Sequence, residues 1–159
     1  AGIFSGEALT QWTNQLVVGV EIPPDGRRRA GEISTLISYD FIIGNWDRWH
    51  GTNTLVDAHG GLVYRDNNGG FLEPLPRWKM EIIFSFLQRV QRFSRRFVDQ
   101  VRAMTLASLR RAIANDADGT EPLLNDAQLR AMMRRRSTFL EYVDALVGIH
   151  GASEVYFFD

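Results

Sequence analysis

Asp47, Asn53 and Asp66 stand on either side of a short alternating segment. Thr54-Leu55-Val56 and Leu62-Val63-Tyr64 read as strands, with Asp57-Ala58-His59-Gly60-Gly61 as the turn between them. A hairpin returns its two ends to each other, with strands about 4.8 Å apart. The three side chains are therefore expected to cluster at its open end. Two carboxylates and an amide oxygen suit a hard divalent cation carrying phosphate, and glycines nearby let backbone approach closely. Phosphoryl transfer needs such a set: one Asp to orient or deprotonate the attacking hydroxyl, an Asn and a second Asp to hold Mg²⁺ on the triphosphate. Taken singly, Asp and Asn are ordinary turn residues. Their order points to chemistry: helix, N-x-D-R loop, Asn, hairpin, then D-N-x-G.

The elements that must position these residues follow from periodicity. Ile33, Leu36, Ile37, Phe41 and Ile42 recur at helical spacing and predict a short helix that stops at Gly44. Residues 44–53 form a polar loop with two tryptophans, and Trp46 and Trp49 are expected to pack it onto the core. Upstream, Leu16 to Ile22 has strand-like β-branched content, and Pro23 to Arg29 is a loop. Asp66 to Phe71 is too rich in Gly and Asn for regular structure. Apolar positions from Ile82 to Ile113 predict two helices, followed by a loop over Asn115 to Thr120. Asn125 to Gln128 resembles a capping box opening a last helix to about Val147, ended by Gly148 and Gly151. The fold class expected is α+β, mostly helical, with one small β-hairpin, over a single domain 1–159.

Composition narrows the function classes. The chain has 159 residues, 45% of them hydrophobic, and a formal net charge of −1. That balance argues against a dedicated nucleic-acid binder, which needs a basic excess. With no cysteine there is no thiolate nucleophile and no Cys-based zinc site. No apolar run approaches the ~20 residues of a membrane helix, and the opening residues are not expected to act as a signal peptide. His50, His59 and His150 lack metal-protease spacing; His50 is expected as a hydrogen-bonded loop residue and His59 as an exposed one. Arg89, Arg92, Arg96 and Arg134-Arg135-Arg136 are read as a solvated face with intramolecular partners. The 18 basic residues include a single lysine, Lys79.

Asp40-Phe-Ile-Ile-Gly-Asn-Trp-Asp47-Arg48, followed by Val63-Tyr-Arg-Asp66-Asn67-Asn-Gly-Gly-Phe71, resembles the C-terminal lobe of the atypical kinases. It is similar to the secretory-pathway kinases (Golgi casein kinase and four-jointed), to type II phosphatidylinositol 4-kinases and, more distantly, to HipA-type kinases. The resemblance covers residues 40–71; the helices beyond carry no specific signature. It implies Asp47 as the catalytic-loop aspartate, Asp66 as the metal-binding aspartate and Arg48 as stabiliser of the catalytic loop. Asn53 is implied as the second metal ligand, one position later than in phosphatidylinositol kinases, where Thr52 stands here. Asn45 and Asn67 match family positions beside the cofactor in loop-bracing roles. The implied cofactors are ATP with Mg²⁺ or Mn²⁺, and the acceptor a hydroxyl on protein, glycan or lipid.

An N-terminal kinase lobe has no counterpart here: there is no G-x-G-x-x-G, and Lys79 follows the metal motif. The chain is expected to be a C-lobe fragment whose N-lobe acts in cis or trans, with residues 1–22 just after a hinge, and to turn over little by itself. Two alternatives stand beside this reading. One is a pseudokinase or helical interaction module, favoured by the shifted Asn53. The other is a metal-dependent hydrolase using the same carboxylates.

Overall fold

A computed structural model of the chain describes residues 7–50, 53–116 and 123–159. Its centre is α2 (Arg27–Ile43), 17 residues long. Ala30, Ile33, Leu36, Ile37, Phe41, Ile42 and Ile43 are all buried, so the second half of this helix is enclosed nearly all round. Gly44 ends it in the left-handed conformation at φ 76°, which glycine adopts without Cβ strain. α1 (Glu7–Asn14) precedes it and packs on it. The hairpin β1 (Thr54–Val56) and β2 (Leu62–Tyr64) is antiparallel, with Leu55 opposite Val63. A single 3₁₀ turn, Asn67–Gly69, follows.

Four further helices and a final turn complete the fold: α3 (Arg77–Leu87), α4 (Arg95–Ala103), α5 (Leu106–Asp116), α6 (Asp126–His150) and α7 (Ala152–Val155). The fold is mostly helical, with one two-stranded sheet among the described residues. α2 packs against both α6 and α3. Phe139 on α6 lies at the hub of an aromatic group, 5.6 Å from Phe93 and 6.1 Å from Phe97 between ring centres, both near perpendicular. The capping box at Asn125 and Gln128 is present with both reciprocal bonds. No helix among the described residues is long and apolar enough to cross a membrane.

Local pattern and structure part company in four places. Leu16 to Ile22 forms turns and extended chain rather than a strand. Its cross-chain hydrogen bonds go to two neighbouring residues: Gln91 donates to the Leu16 carbonyl and accepts from the Val18 amide, and Arg92 donates to the Val20 carbonyl. With no neighbouring ladder, β-branched content alone makes no strand. α2 starts at Arg27, earlier than its apolar stripe, inside the stretch read as a loop. The apolar stretch after Trp78 divides into three helices instead of two: Gln88 to Ser94 is drawn out to meet the C-terminal tail, and a second break at Met104 and Thr105 separates α4 from α5. Phe93 donates to the Val155 carbonyl and accepts from the Phe158 amide, and Ser94 then caps α4 through the Phe97 amide. Gly148 lies within α6, which runs on to His150 and stops at Gly151 (φ 86°). Residues 117–120 of the loop read after α5 lie outside the described residues.

Phe139 is fully buried against the rings of Phe93 and Phe97, so Phe139→Ala leaves a cavity in the core. A loss of about 3–5 kcal/mol in unfolding free energy is expected, read by urea denaturation.

Candidate functional site

Arg48 is the organising side chain. It is 1% exposed and it spans three chain segments. Its Nε and Nη2 donate to the Asp40 carboxylate at 2.9 Å, reaching back eight residues onto α2. Its Nη1 donates to the carbonyls of Asn53 (3.0 Å) and Arg65 (2.6 Å), the residues that meet just beyond the hairpin's open end. Its Nη2 also reaches the Asn67 Oδ1 at 2.6 Å. Only a planar guanidinium presents donors in enough directions to serve a carboxylate, two carbonyls and an amide together.

Around this hub the loop is pinned at short range. Asn45 is buried, donates to Asp40 Oδ1 at 3.4 Å and accepts from the Asp47 amide at 3.1 Å. Asn53 donates its amide nitrogen to the Asp47 carbonyl at 3.0 Å, which leaves its amide oxygen as the atom available outside that bond. The Asn53 carbonyl accepts from the Arg65 amide at 2.9 Å, extending the hairpin ladder by one pair. A Cβ on Gly69 would come within 2.7 Å of Asn45 Oδ1 and 3.0 Å of Asp47 Cβ, so the D-N-x-G turn lies directly on the N-x-D-R loop. Ile43 accepts from the Phe71 amide at 2.7 Å and closes the assembly onto α2.

The structure thus joins Asn45, Asp47, Arg48, Asn53 and Asn67 in one hydrogen-bonded network. Asp66, adjacent in chain, bonds locally instead. It is exposed, sits at φ 47° and accepts from the Asn68 amide at 3.2 Å as the cap of the 3₁₀ turn. Positive φ is costly for a non-glycine residue, and both Asp66 and Phe71 (φ 60°) adopt it at the two ends of this turn. Thr52, the position matching the family asparagine, lies outside the described residues.

Asp47 points outward, its side chain 37% exposed, with its Oδ1 2.9 Å from His50 Nδ1. His59 is exposed in the hairpin turn. Trp49 packs on Phe86, with ring centres 5.7 Å apart. Trp46 meets Trp78 edge to face at 5.1 Å, and Lys79 places its ammonium 4.2 Å from the Trp46 ring centre. Lys79 therefore sits beside the loop as a cation–π partner. No three His, Asp or Glu side chains converge into a metal-sized group among the described residues. The oxygens on offer, from Asp47, Asp66 and Asn53, are of the hard type that Mg²⁺ or Mn²⁺ takes, with remaining positions left for phosphate and water.

Burial pushes the Asp40 carboxyl up to about 6, against the opposing pull of Arg48 and Asn45. Burial also pushes the Tyr64 hydroxyl up to about 12. Clefts of about 590 and 600 Å³ open elsewhere, one lined by Arg27, Tyr64 and Phe158, the other by Arg95, Asp99 and Asp159. None of the candidate residues lines either; Asp47 faces an open surface.

Three residues that matter here have no role assigned by motif reading: Asp40, Gly69 and Lys79. Asp40 carries a sequence signal, a lone charge inside the apolar run from Leu36 to Ile43, which demands a buried partner. Lys79 carries none, since its contact with Trp46 depends on how α3 returns to the loop. The arginine run also needs correction. Arg92 and Arg135 are 3% and 6% exposed, so neither belongs to a solvated face. Arg92 donates to the Val20 carbonyl at 2.6 Å and Arg135 to the Ile42 carbonyl at 2.9 Å.

No family model matches this chain, and no curated protein matches its sequence.

Three outcomes test the site's construction. Arg48→Lys cannot serve four acceptors and leaves Asp40 underpaired. It should lower unfolding free energy by about 3–5 kcal/mol, measured by chemical denaturation. Gly69→Ala should separate the two loops, costing about 1–3 kcal/mol and shifting the amide resonances of Asn45 and Asp47. The folded Asp40 binds its proton more tightly than an unfolded one of ordinary value 3.8. Its contribution is greatest below about pH 4 and is lost as pH rises through about 6. The stability of Asp40→Asn relative to the parent chain should therefore improve between pH 4 and pH 7, a trend readable from denaturation curves at stepped pH.

Proposed function

We propose that this chain is the kinase-like C-terminal half of an ATP-dependent phosphotransferase, moving the γ-phosphoryl group to a hydroxyl acceptor. The observation that carries the reading is the Arg48 network. It locks the N-x-D-R loop, the end of the hairpin and the D-N-x-G turn together while Asp47 is left facing outward. In this reading Asp47 accepts the acceptor's proton or orients its hydroxyl, within reach of His50. Asp66 and the Asn53 amide oxygen hold Mg²⁺ or Mn²⁺, which neutralises charge on the phosphates when bound. Arg48 and the bracing amides of Asn45 and Asn67 act through position, since they spend their polar atoms inside the network.

Two features support an incomplete site. Asp47 lies on an open surface, whereas phosphoryl transfer needs water excluded. The outer face of the hairpin carries Leu55 and Val63, exposed and directly opposite one another, an apolar ledge next to the acidic loop. An N-lobe in cis or trans would close both and supply the phosphate-gripping lysine. The second reading, a pseudokinase or interaction module, is favoured by Asp66, whose carboxylate is turned to its own turn.

The readings separate on metal and on transfer. Mn²⁺ should selectively broaden the resonances of Asp47, Asn53 and Asp66 in this chain, and Asp66→Asn should abolish that broadening. In a polypeptide that pairs this chain with its N-lobe, Asp47→Ala and Asp66→Ala should each reduce transfer from labelled ATP by at least about 10³-fold. Transfer that survives both changes, or broadening unaffected by Asp66→Asn, defeats the enzyme reading.

A further inference from the structure

Behind the catalytic-type loop lies a second polar feature that the phosphotransferase reading does not use. Arg135 on α6 is nine-tenths buried, and no carboxylate pairs with it among the described residues. Its Nε caps the C-terminal end of α2 through the Ile42 carbonyl, a favourable place for a cation. Its Nη2 is buried and finds no hydrogen-bond partner among the described residues. A guanidinium carries five donors, and a buried one left short is costly. Burial accordingly weakens its hold on its proton.

Arg135 also lines a cleft of about 310 Å³ between α2, the 73–75 segment, α3 and α6. Arg134 lines it too and is paired at 3.0 Å with Glu73, whose carboxylate also faces the cleft. The two arginines and one glutamate leave a net single positive charge. The remaining wall is apolar, formed by Phe41, Leu75, Met80 and Phe84 among others. We propose that this cleft binds an organic anion, with an oxyanion head (phosphate or carboxylate) on Arg134 and Arg135 and an apolar body against those four side chains. A cleft of this size and mixed lining is of the kind small molecules occupy, and arginine is the residue type that grips oxyanions. Because Arg135 contacts Gly44 and the Ile42 carbonyl, the occupant is coupled to the end of α2 that launches the Asn45–Arg48 loop.

The test is a ¹H–¹⁵N titration of the whole chain with phenyl phosphate, benzoate and inorganic phosphate at fixed ionic strength. Saturable shifts are expected at Arg135 Nε–H and at the amides of residues 41–44, with inorganic phosphate the weakest ligand. Phenyl phosphate tighter than benzoate assigns a phosphomonoester head; the reverse order assigns a carboxylate. Arg134→Gln should weaken binding about threefold. Glu73→Gln, by removing the competing carboxylate, should tighten it about fivefold, a gain that no folding defect can mimic. No saturable shift at Arg135 with any probe overturns the site. So does a Glu73→Gln variant that binds no better than the parent, and inorganic phosphate binding as well as phenyl phosphate removes the apolar half of the proposal. Asp47→Ala and Asp66→Ala should leave these affinities unchanged, so the outcome is independent of the phosphotransferase reading.

Discussion

A buried guanidinium is expensive to desolvate, and Arg48 is almost wholly removed from water. The fold accepts that cost because all its directions are answered: a carboxylate on α2, two carbonyls at the hairpin's end and the amide of Asn67. Charge-assisted bonds of this kind stabilise by about 1.5–3 kcal/mol each where they are well made. The constraint is mutual. Beyond one 3₁₀ turn neither loop has regular structure, and Arg48 joins the two to each other and to α2. Asp40, whose carboxyl burial pushes up to about 6, is tolerated for the same reason.

From that centre the side chains sort themselves by position. Those that brace (Asn45, Arg48, Asn67) spend their polar atoms inward. Asp47 and His50 are turned out to a surface with no walls, and Asp66 stands at its edge in a positive-φ turn. Gly69 is the hinge of the arrangement, since any side chain there would displace Asp47 or Asn45. Aromatic packing finishes the support: Trp49 leans on Phe86, and Trp46 is held between Trp78 and Lys79. The result is an open, oxygen-rich loop on a buried and closely bonded base.

The hairpin, the polar loop before it, the Gly44 stop and the Asn125 capping box could all be read along the chain. Each rests on contacts within a few residues: a period of two, a left-handed glycine, a reciprocal side-chain bond. The misread places depend on distant partners. Leu16 to Ile22 is strand-like in composition yet meets the side chain and amide of Gln91 and the guanidinium of Arg92 in place of a neighbouring strand. The helical run after Trp78 breaks because Phe93 finds Val155 and Phe158, more than sixty positions on. Arg92 and Arg135 look like surface charge in a balanced composition and are in fact buried against helix-end and loop carbonyls.

The candidate site shows the same division. Residue order alone put Asp47, Arg48, Asn53, Asp66 and Asn67 around one hairpin, because the geometry of a tight return is local and few alternatives exist for it. Which of them face solvent, which are buried, and that Asp40 answers Arg48 came only from the folded chain. Those properties are set by how α2, α3 and α6 enclose the loop, and enclosure is a sum over segments far apart in sequence.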